Sequence, residues 1–519
     1  MAKHLLDLHW NRQHYAFLLT YRPAVMGGLV DGGPYVNKLL LNAIYYSSCL
    51  YSDRTELRSD PDDPSTAGLR FYDRLRSLLV DEIVNPSIPT ATALVLCGAT
   101  LVSHGKPSAG WILCGTAYRM LIDLGCHLLT EARLSADVSS DPQLLTDVER
   151  EMRKRLYWGA FITDATQSLY LGRKPVLQTA DARVPLMLLD TFEELEERTL
   201  YLDPRSSLSD ASMMSLSEYS PKPAYAVSTF QVQAKLFQIS AKITRTFYGI
   251  DSIGHSSQYL RDAKRQIMQE LDDWNAALPT HLQFRPGLDP VPPPHQLTPQ
   301  LSSSYQTLNI LVQRPFLATG HLKKHSDADE KSAGEKICLD AALAISKLIK
   351  AYKATFSLRR APYLLSYAAY SAAVVLLHKG NPERTHLRDE ITFFWTALCE
   401  LQRGCNFGLH KPLSVLRQMM RELGENVPLE TEDSGYMHFA RALELWTTAE
   451  ASQMLSNGNT EHASRFAGNY SATRPDHIDF GASSPFGNRQ SFMDVWDEDA
   501  RNVYNDTLFG LFAPVQTLH

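Results

Sequence analysis

The stretch WILCGTAYRMLIDLGCH, from Trp111 to His127, decides the fold. Its composition and spacing predict a helix, with Gly115 and Ala117 placed where a neighbouring backbone would come close. Arg119 and Asp123 stand at i,i+4, adjacent on a helix surface, and Gly125 stands where a C′ glycine ends a helix. No residue in the stretch makes a nucleophile, a phosphate cradle or a metal box. The segment therefore predicts architecture and not chemistry.

Helical periodicity continues on both sides. Leu39 to Tyr46 begins an apolar helix after the loop Gly32-Gly33-Pro34. Leu69, Tyr72, Leu75, Leu78 and Leu79 recur three and four apart. Thr90 to Ser103 is small and apolar throughout, which predicts burial on every side. A charged helix is expected from Thr146 to Leu171. Further helices are expected at Tyr225–Tyr248, Tyr259–Leu278, Ser302–Ala318, Glu335–Phe356, Ala361–Lys379, Leu387–Asn406, Pro412–Leu423 and Met437–Gln453, with loops at Leu134–Pro142 and Pro290–Pro294. No alternating-strand series interrupts them. The fold class that follows is all-α: a large helical bundle or array over residues 1–454.

From Leu455 the composition changes. Asn, Gly, Ser and His dominate to about Gln490, the composition of a disordered tail spanning 455–519. Within it, segment 491–512 interleaves Phe492, Trp496, Tyr504, Phe509 and Phe512 with five acidic residues. Acidic–aromatic alternation suits an activation segment, in which charge keeps aromatic side chains solvated until a partner groove takes them. A C-terminal amphipathic helix docked on the body fits the same residues equally well. Phe492, Trp496, Phe509 and Phe512 are the candidate activation residues.

Bulk properties narrow the function classes. A net charge of −6 opposes a nucleic-acid-coating protein, which is ordinarily basic. No apolar run reaches the roughly 20 residues of a membrane span, so no membrane partner is expected. Seven scattered cysteines form neither a disulfide framework nor a C-x2-C pair; free thiols in a reducing compartment are expected. Cys114 and Cys126 read as apolar fillers, and Cys399 and Cys405 as buried thiols. His325 and Asp329 match a bare H-x3-D but lie in a polar, turn-like stretch. Asp60, Asp62 and Asp63 are held out of a helix interior by prolines, and Asp272-Asp273 lacks a third carboxylate. Catalytic, cofactor and metal residues are therefore all predicted absent.

The charged helix pairs Glu149 with Arg153 and Glu151 with Arg155 at i,i+4, acid before base. That pairing makes the basic run Arg153-Lys154-Arg155 a structural element, with Arg153 or Arg155 reaching Asp164, Asp123 or a helix C-terminus.

Several separated patterns agree with one family. The Trp111 helix has the form W-x3-G-x-A-x-R-M-x2-D-L-G-x-H. Glu149 to Trp158, Asp164, Leu171-Gly172-Arg173, Pro175, Asp181 and Pro185 follow a second pattern. Leu271 to Trp274 with Leu278-Pro279, Tyr305 to Phe316 ending in Arg314-Pro315-Phe316, and Cys338 to Ala342 complete the series. Together, over residues 5–425, they resemble the regulatory middle homology region of fungal zinc-cluster (Zn2Cys6) transcription factors. The opening, Leu5–Ala24 with Leu40–Ile44, is most similar to the nitrogen-assimilation branch. Lys174 replaces the first proline of that family's L-G-R-P.

The resemblance implies a nuclear regulator of transcription, by RNA polymerase II, of a metabolic or biosynthetic gene set. Its implied partners are the transcription machinery or other transcription factors, in a homo- or heterodimer. The family's zinc is held by a six-cysteine head that this sequence does not contain. DNA contact is thus expected only through a missing head or a partner, whether the cause is an incomplete gene model or a true headless regulator. The alternatives are a non-catalytic ligand-sensing or interaction scaffold and, last, a helical biosynthetic enzyme. The resemblance makes Trp111, Gly115, Arg119, Asp123, Gly125, Arg153, Arg155, Trp158, Asp164, Gly172, Arg173, Arg314 and Pro315 structural residues. Arg119, Asp123 and Gly125 are expected to hold the bundle together.

Overall fold

Short polar residues open several helices of this protein, and glycine closes two, at Gly32 and Gly172. Asn37 caps α4 (Lys38–Cys49) by accepting the amide of Leu40 at 2.8 Å, and Ser87 caps α6 (Ile88–Ser103) on Thr90. Thr146 caps α8 (Asp147–Leu171), which ends at Gly172 in the left-handed region, φ +65°. The computed structural model describes residues 1–129, 145–190, 192–198, 221–287, 297–379, 386–404 and 406–423.

The first half of the chain builds α1 (Ala2–Leu8), α2 (His14–Phe17), α3 (Arg22–Asp31), α4, α5 (Leu69–Glu82), α6, α7 (Pro107–Asp123) and α8. All sixteen residues of α6 are buried, as its uniformly apolar sequence predicts. It packs against α4, α7 and α8. The second half continues with α9 (Ala226–Phe247), α10 (Ser257–Ala276), α11 (Leu297–Gln313), α12 (Ala328–Thr355), α13 (Tyr363–Leu377), α14 (Arg388–Gly404) and α15 (His410–Glu422). There α13 is the fully buried helix, packed on α11, α12 and α14. Helix α9 touches both α8 and α11 and so joins the halves. One two-stranded antiparallel ladder, β1 (Glu197–Arg198) with β2 (Lys222–Pro223), is the exception to the all-α architecture among the described residues.

Three boundaries differ from the sequence expectation. Helix α12 starts at Ala328 and not Glu335, because Asp327 and Glu330 form a reciprocal capping box. Helix α11 begins at Leu297 and ends at Gln313, where the Arg314–Phe316 turn takes over. The opening seventeen residues, too mixed in polarity to show a period, form α1 and α2 joined by a π-helical turn, His9–Gln13. The Met437–Gln453 helix, the boundary at 454, the two loops at 134–142 and 290–294, Cys405 and the whole tail lie outside the described residues.

Candidate functional site

Helix α8 carries the most elaborate polar site in the protein. Arg155 is fully buried, and its guanidinium donates to Glu151 at 2.7 Å, to Glu193 at 2.5 Å and 3.2 Å, and to the carbonyls of Thr20 at 3.0 Å and Leu189 at 3.1 Å. It also lies 4.9 Å over the Tyr21 ring. Glu151 accepts the amide of Leu189 and pairs with Lys154. Glu193 accepts a third contact from His14 Nε2 at 2.7 Å, while His14 Nδ1 meets the Thr20 hydroxyl at 3.1 Å. These partners suit a neutral imidazole, donating at Nε2 and accepting at Nδ1.

Electrostatics follow from burial. Desolvation alone would raise the Glu193 carboxyl, but His14 and Arg155 overcome it and hold it at about 2. Burial keeps His14 below its ordinary value, outweighing the Glu193 contact. An ion pair this deep is worth little net, yet losing one partner strands a buried charge. The site is a clamp that fastens the N-terminal segment, Leu189 and Glu193 onto α8.

The other signature residues serve the same end. Arg153 pairs with Glu149 at 2.9 Å and donates to the Leu124 carbonyl at the C-terminus of α7, as its position on the charged helix predicts. Trp158 donates its indole N–H to Pro185. Arg173 lies 5.2 Å over the Trp111 ring, joining the end of α8 to the start of the signature stretch. Gly125 has φ +70° just past α7, and Arg314 and Pro315 form a buried turn in which Arg314 donates to Thr319.

Of the alternatives open to Arg153 and Arg155, the helix C-terminus is the one taken, by Arg153; Asp164 instead accepts the amides of Val176 and Leu177, each at 2.7 Å, and burial still pushes its carboxyl up to about 7. Two sequence expectations are corrected. Arg119 and Asp123 are both exposed and form no ion pair, so they do not hold the bundle together. A Cβ on Gly115 would meet nothing within 4 Å, so no backbone approaches there. The close approach is one turn earlier and across: a Cβ on Gly110 would stand 2.5 Å from the Gly98 carbonyl, and one on Gly98 would stand 2.8 Å from the Gly110 carbonyl. These two glycines let α6 and α7 touch backbone to backbone.

Nothing in the geometry activates a nucleophile. Burial pushes the Cys114 thiol up to about 12 and Cys126 up to about 11, which suits apolar fillers and not thiolate ligands. Among the described residues no group of three His, Cys, Asp or Glu side chains is placed to hold a metal. The cysteines therefore do not fit the zinc of a six-cysteine head. His325 Nδ1 meets the Ser257 hydroxyl, and Asp329 is an exposed first-turn residue of α12. Asp60 and Asp63 accept local amides and shape a turn.

Sequence reasoning missed Glu193 and His14, which lie 38 and 141 residues from Arg155 and share no period with it. It also missed a cavity between the π-helical turn and α6, α8, α9, α11 and α13. The cavity encloses about 650 Å³ not taken by protein atoms, counting its mouth. Gln13, Gln233, Gln300, Thr166 and Tyr363 line it from five elements. Phe492, Trp496, Phe509 and Phe512 lie outside the described residues. No helix among the described residues is long and apolar enough to cross a membrane.

Comparison with known proteins matches the sequence to transcriptional regulators. The chain is 30% identical over 400 residues to the nitrogen assimilation transcription factor nirA of Emericella nidulans, covering 75% of this chain and 41% of that protein. It is 29% identical over 401 residues to the nitrogen assimilation transcription factor nit-4 of Neurospora crassa, covering 74% of this chain and 34% of that protein. An uncharacterised transcriptional regulatory protein of Schizosaccharomyces pombe is 26% identical over 414 residues, 60% of its length. The chain thus spans less than two thirds of each of these relatives. No solved structure matches. The model of the fungal specific transcription factor domain covers residues 6–276, from the N-terminal segment through the clamp to α10, and the chain belongs to that family.

Proposed function

We propose that this chain is the regulatory region of a fungal transcription regulator that controls a metabolic gene set transcribed by RNA polymerase II, and that it acts in the nucleus without catalysing a reaction. The observation that carries the reading is the alignment, over three quarters of the chain, with two nitrogen-assimilation factors. The Arg155 clamp supports it, because a buried ionic site holding three segments together suits a body that responds to occupancy or partners and not one that turns over substrate. Nitrogen assimilation is the gene set that the same two relatives favour.

DNA contact comes from a zinc-cluster head or from a partner factor, in a homo- or heterodimer, and this chain holds no zinc or other cofactor of its own. The tail 455–519 supplies the contact with the transcription machinery through its acidic–aromatic segment. Fusion of residues 455–519 to a neutral DNA-binding domain in a reporter assay tests that part. Activation that drops sharply on replacing Phe492, Trp496 and Phe509 by Ala is the expected outcome; no activation, or no loss in the triple variant, overturns the assignment to the tail. A second reading, a ligand-sensing scaffold, is favoured by the cavity between the helices.

A further inference from the structure

The cavity between the π-helical turn and α6, α8, α9, α11 and α13 leaves three polar atoms unpaired on its wall. Gln300 Oε1 on α11, the Thr166 hydroxyl on α8 and the Tyr363 hydroxyl on α13 belong to side chains more than nine-tenths buried, and none has a hydrogen-bond partner among the described residues. All three residues line the cavity. Thr166 stands apart from other helical threonines of this chain: Thr92, Thr100, Thr163 and Thr307 each bond the carbonyl one turn earlier, and Thr166 does not. Buried polar groups in folded proteins are almost always paired, because desolvation without a replacement bond is costly.

A second cavity shows the ordinary case. About 270 Å³, counting its mouth, lies between α8, α9, α11 and α13 against Leu169, Leu236, Phe237 and Leu308, and its two aliphatic hydroxyls, Ser304 and Thr307, bond the carbonyls of Gln300 and Ser303. Leu364 forms part of both walls. An apolar void whose few hydroxyls are satisfied needs no occupant. The larger cavity differs in the unmet demand of its oxygens.

Those three oxygens set the ligand class. The charged groups on the wall are already engaged: Arg12 donates to the Arg360 carbonyl at 3.5 Å, and Arg360 pairs with Asp53. No carboxylate lines the cavity, so a cation would enter beside two guanidiniums without a counter-charge. Gln300 Oε1 only accepts, so a carboxylate, which has no proton to give, leaves it unsatisfied. The two hydroxyls both donate and accept. A neutral group with a donor and an acceptor side by side, as in a primary carboxamide, answers all three. Phe17, Leu50, Leu297 and Leu364 on the same wall suit an apolar remainder.

We propose that this cavity binds a compact neutral molecule bearing a primary carboxamide, whose N–H groups donate to Gln300 Oε1 and Thr166 and whose carbonyl accepts from the Tyr363 hydroxyl. The walls come from the N-terminal segment, α6 and α8 on one side and α9, α11 and α13 on the other, so an occupant fastens the two halves of the body together. The regulatory meaning rests on the ligand-sensing reading above; the binding does not.

The test uses the purified full chain and four probes of similar size: propionamide; N,N-dimethylformamide, its isomer without an N–H donor; propionate; and propylammonium. Thermal unfolding and isothermal titration are measured at millimolar probe. Propionamide is expected to raise the unfolding temperature in a saturable way, with N,N-dimethylformamide about tenfold weaker for want of the donor and the two ions inert. Tyr363→Phe and Thr166→Val keep the shape of the wall and remove one hydroxyl each. Without probe both should unfold at a higher temperature than wild type, because a stranded polar group is gone, and both should lose the propionamide shift.

No shift with propionamide overturns the proposal and marks a site that only water fills. So does an equal shift with all four probes, or a propionamide shift that survives in either variant. Lower stability of both variants without probe overturns it as well, by showing that the hydroxyls are already paired. If propionamide binds wild type, and the full chain fused to a DNA-binding domain drives a reporter equally with and without Tyr363→Phe, the regulatory meaning fails and the site stands.

Discussion

Two acid–base pairs in this chain share the i,i+4 spacing and neighbouring helices, yet they have opposite fates. Glu151 and Arg155 on α8 are buried at the centre of a five-donor network. Arg119 and Asp123 on α7 face solvent and do not touch. In the sequence the pairs share a spacing and differ in order, acid before base in one and base before acid in the other. What separates them further is the far partner: Glu193 and the Thr20 and Leu189 carbonyls arrive from distant segments to satisfy the guanidinium, and among the described residues nothing arrives at Arg119. Spacing makes a pair available; only burial with full hydrogen bonding makes it consequential.

The sharpest way to break the comparison is Arg155→Met. It removes the central cation from two buried carboxylates, leaving Glu151 with Lys154 and Glu193 with only the His14 contact, and a loss of about 3–5 kcal/mol is expected in urea unfolding. Arg155→Lys should recover only part of it, since an ammonium cannot span five acceptors. A loss no larger than that of a surface substitution would mean the clamp is ornamental.

The acid limb of the stability profile comes next. Burial holds His9 and His14 below the ordinary imidazole value and His104 at about 3, so their folded values lie beneath the unfolded 6.5. As pH falls below 6.5 the unfolded chain takes up protons that the folded one refuses, and stability drops. Asp164, raised to about 7, works the other way by taking a proton in the folded state across the same range. Three histidines against one carboxyl leave a net loss of stability as pH falls from about 6 to 4, and Glu193, held at about 2, adds to it at the acid end. A flat unfolding temperature down to pH 5 would contradict the buried, neutral imidazoles.

The smallest effects test the two faces of α7. Gly110→Ala drives a methyl group into the Gly98 carbonyl and should cost about 1–3 kcal/mol. Gly115→Ala, in open space on the same helix, should instead stabilise by up to about 1 kcal/mol. Arg119→Ala and Asp123→Ala should each stay within about 0.5 kcal/mol in the same thermal assay. A large loss from either would show that α7 presents them to something essential.

Much of the architecture was legible in the residues themselves. The apolar run of α6 predicted its complete burial, Thr146 and Gly172 bracketed α8, and of the expected targets for Arg153 or Arg155 the helix C-terminus is where Arg153 lies. Local chemistry decides such features: a cap needs a short polar side chain, a left-handed terminus needs glycine, and a helix without a polar face has to be inside.

The N-terminal segment was not legible. Its buried residues include His4, His9, Arg12, Gln13 and His14, so polarity gave no period. Their environment is supplied by residues up to 348 positions away, such as Arg360 beside Arg12. The close approach of α6 and α7 was misplaced for a related reason. Glycine at position 115 and glycine at position 110 look the same in one dimension, and only the crossing point of two helices selects between them.

The sequence by itself determined an all-α body, its family and most helix boundaries, because these rest on residues within a few turns of one another. Tertiary structure alone decided which charges are structural, where the helices touch, and that five polar side chains from distant segments face one cavity. Those outcomes depend on which segments meet in space, and chain separation leaves no mark of that on local periodicity.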